Sequence, residues 1–299
     1  MKLGLGTAQF GLDYGVSNRA GRPSEDEVAG VLRLAAEHGI RVLDTAPTYG
    51  DSEERIGRGR PAGAPFEIVT KTPLHAEEDS PARCAEAVAA TLHRSLEHLG
   101  VSAVAGLLEH RPRELLSRRG DAIFQALVHL REQGLTRCIG VSGYEPGELL
   151  EIAERYPIDL VQLPVSALDR RALEGGALAR LRGHGVAIHA RSVFLQGVLL
   201  MQPAELPAEL AGLRAPLRGF LDAARARGFS PLEAALGYAL GLEHVDVVLC
   251  GVQSQLELLE ILRATARTEE VRRQPGAFDV AGPAPEARWL DPSRWGVAR

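Results

Sequence analysis

Short apolar runs alternate with longer amphipathic segments along most of the 299-residue chain. Uninterrupted apolar runs are typical of strands buried on both faces, whereas apolar positions three or four residues apart indicate helices that bury one side. The predicted strands cover residues 3–6, 40–43, 66–69, 104–109, 137–141, 159–163, 186–190 and 245–249.

Helical patterns follow these strands, after a first loop over residues 7–23. Ser24 and Glu27 have the spacing of a capping box, and the apolar stripe behind them ends at Gly39. Eight strand–helix units without a Pro/Gly/Ser-rich linker favour one closed α/β barrel, a (β/α)8 TIM barrel, over two open sheets. We therefore expect a single domain over residues 1–299. The other predicted helices begin near Asp51 and Ser254 or cover residues 81–99, 121–133, 146–155, 170–183 and parts of 208–240.

The tail from about Arg267 is predicted to be irregular, because it carries four prolines, at positions 275, 283, 285 and 292. Trp289 and Trp295 indicate that the tail nevertheless packs against the rest of the protein.

Composition narrows the possible partners. A hydrophobic fraction of 45% and a charged fraction of 24% are typical of soluble globular proteins. The net charge of −5 without a basic block argues against nucleic acid. No apolar run reaches the ~18 residues of a membrane span, and Gln9 and Asp13 interrupt any signal-peptide core, so we expect a cytoplasmic protein. The cysteines at 84, 138 and 250 lack CxxC spacing, so reduced thiols and no metal site are expected. The sequence leaves the oligomeric state open.

Polar residues follow three successive apolar runs, where a buried strand has no structural need for them. Asp44, Lys71 and His110 each stand at such a strand end, and Tyr49 lies in the loop just past Asp44. Because the carboxyl ends of parallel strands meet at one mouth of a barrel, these four side chains are expected to converge.

These residues resemble the aldo-keto reductase family. The segments LDTAPTYG, TK and LLEHRP match the family's Asp, Tyr, Lys and His tetrad in order and approximate spacing, and the likeness extends from GLGTAQFG to CGVQSQLELLEIL. The resemblance implies a (β/α)8 barrel that binds NADP(H) or NAD(H) and reduces a small carbonyl substrate.

The four residues suit proton transfer to a carbonyl oxygen. A phenol has a pKa near 10, and a nearby ammonium would lower it, so Lys71 is expected to make Tyr49 a general acid. Asp44 would hold Lys71 charged and in place, and His110 would orient the carbonyl by hydrogen bonding. These are also the roles that the family resemblance implies.

Matching motifs indicate where the nucleotide would lie. By resemblance, Ser142 and Gln162 would grip the nicotinamide carboxamide, although Gly143 and Ser166 replace asparagines that relatives often carry. Arg191 stands where many relatives place a tyrosine, and it would either stack on the ring or bind a substrate anion. Ser192, Leu195 and Gly197 resemble the loop that approaches the pyrophosphate.

The last motif precedes the predicted helix at Ser254. The amides of Gly251, Gln253 and Ser254 would face a phosphate at the helix N-terminus. Relatives selective for NADPH usually carry Arg or Lys here, whereas this chain has Gln253 and then Glu257. Glu260 matches a family glutamate near the adenine. Because an acidic residue repels an extra phosphate, the preference between NADPH and NADH is left open.

Two other functions are compatible with the motifs. A family member could bind nucleotide as a sensor or regulatory protein without significant turnover, or a phosphate-binding barrel could use Lys71 as the Schiff base of an aldolase. Glu109 is expected to face the helix layer in a structural role, with a partner such as a neighbouring arginine. The physiological substrate and the reaction direction are not encoded in any motif.

Overall fold

Eight parallel strands close into a barrel in which each strand pairs with its neighbours in chain order and the last pairs with the first. The computed structural model describes residues 2–273 and 285–295. The closed parallel barrel with intervening helices confirms the predicted (β/α)8 fold. The strands are β1 (Leu3–Gly6), β2 (Val42–Asp44), β3 (Glu67–Lys71), β4 (Val104–Glu109), β5 (Thr136–Ser142), β6 (Leu160–Pro164), β7 (Ala187–Arg191) and β8 (Val247–Gly251).

The helices form a layer outside the strands and bury their apolar sides against them in one large core. No helix among the described residues is both long and apolar enough to cross a membrane. In chain order the helices are α1 (Ala8–Gly11), α2 (Glu25–Glu37), α3 (Ser52–Gly59), α4 (Pro81–Leu99), α5 (Pro112–Leu115), α6 (Gly120–Glu132), α7 (Pro146–Arg155), α8 (Arg171–Glu174), α9 (Ala177–Gly183), α10 (Arg214–Ala226), α11 (Pro231–Gly241), α12 (Gln255–Arg267), α13 (Glu269–Arg273) and α14 (Ala287–Leu290).

Several element boundaries differ from the prediction. The first loop contains the short helix α1, and the single helix expected over residues 170–183 is split into α8 and α9. Gly175 and Gly176 cause the split, because Gly176 adopts a left-handed backbone with φ of 66°. The capping box of α2 is only half formed: Ser24 accepts from the Glu27 amide, but the Glu27 carboxylate accepts from Gln255 at the start of α12 instead.

The interior of the barrel explains how polar groups reach its mouth. Three interior residues form a small apolar cluster of their own: Val69, Leu108 and Leu160. Because strand side chains alternate between faces, the residues two positions further along the chain face the same interior space. Those residues are Lys71, His110 and Gln162, so the three strands deliver their polar ends to one mouth.

The described part of the tail is more regular than expected, since it contains α13 and α14. Pro275 and Pro283 lie outside the described residues. Trp295 is buried and donates through its indole nitrogen to the Trp289 carbonyl, and Trp289 lies against Gly212. The prediction that both tryptophans pack against the protein is confirmed.

Candidate active site

The centre of the site is an ion pair between Lys71 and Asp44 at the ends of β3 and β2. Lys71 Nζ lies 2.7 Å from Asp44 Oδ1 and also donates to the Thr45 carbonyl at 2.8 Å. Only 1% of the Lys71 side chain is exposed. Burial lowers the pKa of Lys71, and the Asp44 carboxylate opposes that shift. The pair therefore fixes both charged groups in one geometry, as predicted.

Gln162 connects this pair to Ser142. Its Nε2 donates to Asp44 Oδ1 at 2.7 Å, and its Oε1 accepts from Ser142 Oγ at 3.2 Å. Gln162 is fully buried, so the protein itself already uses both ends of its carboxamide. The residue orients Asp44 in this structure, which the prediction of a nicotinamide contact did not include.

Tyr49 lies beside the ion pair. Lys71 Nζ is 5.0 Å from the centroid of its ring, and the His110 ring meets it edge-on at a centroid distance of 6.2 Å. Burial raises the pKa of Tyr49 above its usual value, the Asp44 carboxylate raises it further, and Arg191 opposes both. The expected net lowering by Lys71 is not seen, because burial of the phenol has the largest effect on its pKa and the nearby Asp44 carboxylate adds to it. Tyr49 is thus a protonated phenol at neutral pH.

His110 is held as a neutral imidazole. Burial lowers its pKa to about 3, and the charges of Lys71 and Arg191 add to this shift. Its backbone N–H donates to Thr72 Oγ1 at 3.1 Å, whereas Nδ1 is buried without a hydrogen-bond partner among the described residues. His110 lines the cavity described next, so its neutral ring is placed to hydrogen-bond a ligand there.

A cavity of about 1290 Å³ opens above these residues, with Asp44, Tyr49 and His110 in its lining. Leu195 is not in the lining because it is buried in the apolar core, and Gln162 and Ser254 do not line it either. Eight of the predicted cofactor residues do line it: Ser142, Arg191, Ser192, Gly197, Gly251, Gln253, Glu257 and Glu260.

Arg191 is anchored by the protein on three sides. Its guanidinium lies 4.1 Å from the centroid of the Tyr144 ring, Nη2 donates to the Gly143 carbonyl at 3.1 Å, and Nη1 donates to Ser192 Oγ at 3.3 Å. The planar group therefore presents a fixed positive surface to the cavity.

The loop after β7 adopts unusual backbone conformations. Ser192, Leu195 and Gln196 have positive φ angles of 56°, 48° and 52°, and Gly197 has a φ of 90°. Left-handed conformations at non-glycine residues cost about 1–3 kcal/mol each and cluster at ligand sites. At Gly197 a Cβ would collide with Ser17, so only glycine fits there. The strain falls in the segment predicted to approach the pyrophosphate.

Acidic side chains already occupy the amides at the start of α12. The Gln253 N–H donates to Glu257 Oε2 at 2.7 Å, and the Gln255 N–H donates to Glu27 Oε1 at 2.6 Å. The Ser254 hydroxyl caps the helix by accepting from the Glu257 N–H at 3.1 Å. A helix N-terminus favours anions, and in this structure two carboxylates satisfy these amides. Phosphate binding there stays a prediction.

The sequence model of the Aldo/keto reductase family matches residues 2–273. This chain belongs to the aldo/keto reductase family. Two characterised relatives are similar over much of its length. L-galactose dehydrogenase of Arabidopsis thaliana is 25% identical over 90% of this chain and 85% of its own. D-threo-aldose 1-dehydrogenase of a Pseudomonas species is 27% identical over 65% of this chain and 68% of its own.

Solved structures share the fold of this aldo-keto reductase. The holo form of an aldo-keto reductase from Bacillus halodurans superposes with a TM-score of 0.76 at 21% identity. The match covers 96% of this chain and 95% of that one. At this identity the likeness concerns the barrel itself.

The departures of this aldo-keto reductase from the family motifs have structural causes. A Cβ at Gly143 would collide with Pro112 and lie 2.9 Å from Leu149, so an asparagine does not fit there. Ser166 is buried and its hydroxyl accepts from the amides of Leu168 and Asp169, which makes it a turn residue outside the cavity lining.

Two tyrosines near Arg191 were not predicted from the sequence to belong to the site. Tyr144 stacks on Arg191, and Tyr14 accepts a hydrogen bond from Gln196 Nε2 at 3.0 Å. Burial, with Tyr144 as the next cause, raises the pKa of Tyr14 to about 12. Tyr144 lies two residues after Ser142. Its place just beyond a strand end is a sequence signal that could have identified it. Nothing in the sequence links Tyr14 to the site, because its loop is long.

Glu109 faces away from the barrel interior, as predicted, but its partners are different. Thr72 Oγ1 donates to its Oε2 at 2.9 Å, and the backbone N–H of Arg111 donates to its Oε1 at 3.0 Å. His75 Nε2 lies 3.9 Å from Oε2. The expected arginine side chain is replaced by a hydroxyl and a main-chain amide, which also compensate the burial of a carboxylate.

Proposed function

We propose that this protein is an NAD(P)H-dependent oxidoreductase that reduces an aldehyde or ketone to an alcohol, or catalyses the reverse reaction. One observation carries the proposal: a protonated Tyr49 and a neutral His110 face one cavity, directly beside the buried Lys71–Asp44 pair. Family membership indicates the class of chemistry, and this geometry supports a separate role for each residue in the proposed reaction.

Tyr49 donates the proton in the reductive direction. A reduced nicotinamide, when bound, would supply the hydride to the carbonyl carbon, and the carbonyl oxygen would become basic as it gains charge. Tyr49 then gives its proton to that oxygen as general acid. The Lys71 ammonium, 5.0 Å from the ring centroid, stabilises the phenolate that forms. His110 holds the same oxygen by a hydrogen bond and fixes its position relative to Tyr49.

The cavity fits a nucleotide along its β7–α12 side. Ser142 would contact the nicotinamide end, and the left-handed backbone from Ser192 to Gly197 would lie against the pyrophosphate. Gln253 and Glu257 would lie at the adenosine end. Glu257 occupies the Gln253 amide, so it competes with a 2′-phosphate there and favours comparable use of NADH and NADPH.

The relatives' names point to hydroxylated aldehydes as substrates. The two characterised relatives are named as dehydrogenases of L-galactose and of a D-threo-aldose. In this chain the cavity includes the charged rim residues Arg113 and Glu148, which pair at 2.7 Å. A polar rim can hydrogen-bond sugar hydroxyls, so we include aldoses among the proposed substrates.

Two measurements on the purified protein test the proposal. Nucleotide fluorescence titration with NADH and NADPH measures binding, and absorbance of the reduced nicotinamide measures turnover with aldoses, simple aldehydes and the corresponding alcohols. We expect binding of at least one nucleotide and turnover with at least one carbonyl. Binding without turnover across the panel would favour the regulatory alternative. Absence of binding would overturn the proposal and bring the Lys71 aldolase forward.

A further inference from the structure

A cluster of three metal-ligand side chains lies outside the cavity, in the connection from β3 to α4. His75 and Asp79 belong to the loop, and Cys84 lies in the first turns of α4. One potential ligand atom from each residue lies within 4.8 Å of the other two. We call these three residues the His75 cluster. Its nitrogen, oxygen and sulfur donors form a mixed set of the kind that zinc accepts.

His75 supplies an independent indication of a ligand. Only 1% of its side chain is exposed, and both of its ring nitrogens are buried without a hydrogen-bond partner among the described residues. Buried polar groups are nearly always partnered, so an imidazole with two unused nitrogens needs an explanation. Glu109 Oε2 lies 3.9 Å from His75 Nε2, which is beyond hydrogen-bond distance, so that carboxylate does not satisfy the ring in this structure.

The surrounding charges favour a cation. Arg119 is the buried positive group that faces the Cys84 thiol, and its guanidinium is paired with Glu114 at 2.6 Å. With that pair neutral, the Asp79 and Glu109 carboxylates remain near His75, and an exposed arginine at position 83 lies 3.6 Å from Asp79. A divalent ion would neutralise this excess of negative charge.

We propose that His75, Asp79 and Cys84 bind one divalent transition-metal ion of the zinc class. The Asp79 side chain is 19% exposed, so solvent can reach the ion and a water can complete a tetrahedral shell. Glu109 Oε2, 3.9 Å from His75 Nε2, stands where a carboxylate commonly orients a metal-bound histidine.

The ion would connect the β3–α4 loop to the end of β4, next to His110. Thr72 Oγ1 donates to Glu109 and accepts from the His110 N–H, so only these two residues separate His75 from the backbone of His110. The site would fix the loop that follows Lys71, and its role is structural. This inference does not depend on the proposed carbonyl reduction and departs from the sequence expectation of no metal site.

Cobalt titration of the full-length protein, freed of metal by a chelator, tests the site. We expect one equivalent of Co²⁺ to produce a thiolate-to-cobalt charge-transfer band, which Zn²⁺ then displaces. Cys84→Ser should abolish the band, and the matched control Cys138→Ser should keep it, because Cys138 lies on β5 outside the cluster. Absence of the band from the unmodified protein, or its persistence in Cys84→Ser, would overturn the proposal.

Asp79→Asn keeps the test valid if Cys84→Ser folds poorly. Asparagine can still accept the hydrogen bond that Asp79 Oδ2 receives from the Ala76 N–H, so folding should be unaffected while a charged ligand is lost. Zn²⁺ affinity should fall at least about tenfold, and Glu109→Gln should weaken it by about 10–100-fold as an outer-shell partner. Metal binding should strengthen as pH rises, because the metal binds the deprotonated thiolate and protons compete for the sulfur. Unchanged affinity in Asp79→Asn would contradict the assignment.

Discussion

The two sides of the cavity are built differently. On the β2–β4 side, Lys71 and Asp44 are paired at 2.7 Å and buried, and Tyr49 and His110 lie beside them in defined protonation states. On the β7–α12 side the protein satisfies its own ligand-binding groups: Arg191 stacks on Tyr144, and Glu257 caps an amide that a phosphate would need.

We call the β2–β4 side the fixed side, because its charged and polar groups are held in one geometry. We call the β7–α12 side the adjustable side, because its internal contacts can be exchanged for contacts with a ligand. The side that we propose for proton transfer needs rigid positions, because catalytic hydrogen bonds depend on geometry more than on average affinity. The side that we propose for nucleotide binding can exchange internal hydrogen bonds for ligand contacts at a smaller net cost. We therefore expect substitutions on the first side to affect turnover or stability strongly, and those on the second side to change cofactor preference only modestly.

Replacing Tyr49 by phenylalanine is expected to have the largest effect. The change removes the proton donor and keeps the ring, so kcat should fall by about 10²–10⁴-fold while nucleotide affinity stays within a few-fold. The measurement is kcat from pH 5 to 9 together with nucleotide titration. Tyr156→Phe serves as the matched control, because that phenol donates to Asp121 Oδ1 at 2.6 Å and neither residue lines the cavity. Near-normal kcat in Tyr49→Phe with bound nucleotide would sink the proposed mechanism.

Lys71→Met should destabilise the fold and slow turnover together. Among the described residues it leaves the buried Asp44 carboxylate with one hydrogen bond, from Gln162, and breaking a buried ion pair costs about 3–5 kcal/mol. Urea unfolding measures the free energy of unfolding. Adding Asp44→Asn to Lys71→Met should recover part of the loss, because the unpaired charge disappears. If Lys71→Met were as stable as the unmodified protein, the ion pair would not be what holds this side rigid.

The sequence predicts the fixed side far better than the adjustable one. Asp44, Lys71 and His110 end strands, so the barrel topology alone brings them together. The role of Gln162 depends on a hydrogen bond to Asp44 across 118 positions of sequence, and no local pattern contains that information. The Arg191–Tyr144 stack likewise depends on side-chain conformations at the end of β7 and in the loop after β5. Local helix signals were also incomplete, since Ser24 caps α2 as expected while Glu27 is used by α12.

His110 gives the fixed side a predictable pH dependence of stability. Its pKa is about 3 in the folded protein and near 6.5 when unfolded, so the unfolded state binds the extra proton between these values. Stability should therefore fall as pH drops from 6.5 towards 3. The melting temperature of His110→Asn should fall less steeply over that range, by a few degrees. Burial also lowers the pKa of His189, so part of the slope should remain in the variant. Identical slopes for both proteins would contradict a neutral, buried His110.

Cofactor preference should be the smallest effect and the sharpest test of the adjustable side. We expect the dissociation constants for NADH and NADPH to differ by less than about tenfold, or roughly 1.4 kcal/mol. Glu257→Gln removes the carboxylate that caps the Gln253 amide and should shift the ratio towards NADPH by about 0.2–1 kcal/mol, the size of an exposed charge interaction. Glu86→Gln changes the net charge equally on the exposed surface of α4, away from the cavity, and should leave the ratio unchanged. Both constants are measured by fluorescence titration at one ionic strength, because screening weakens such effects.

A hundredfold preference of the unmodified protein for NADPH would mean that a basic residue holds the 2′-phosphate. In that case the α12 side would be as specialised as the Lys71 side, and the contrast between them would fail.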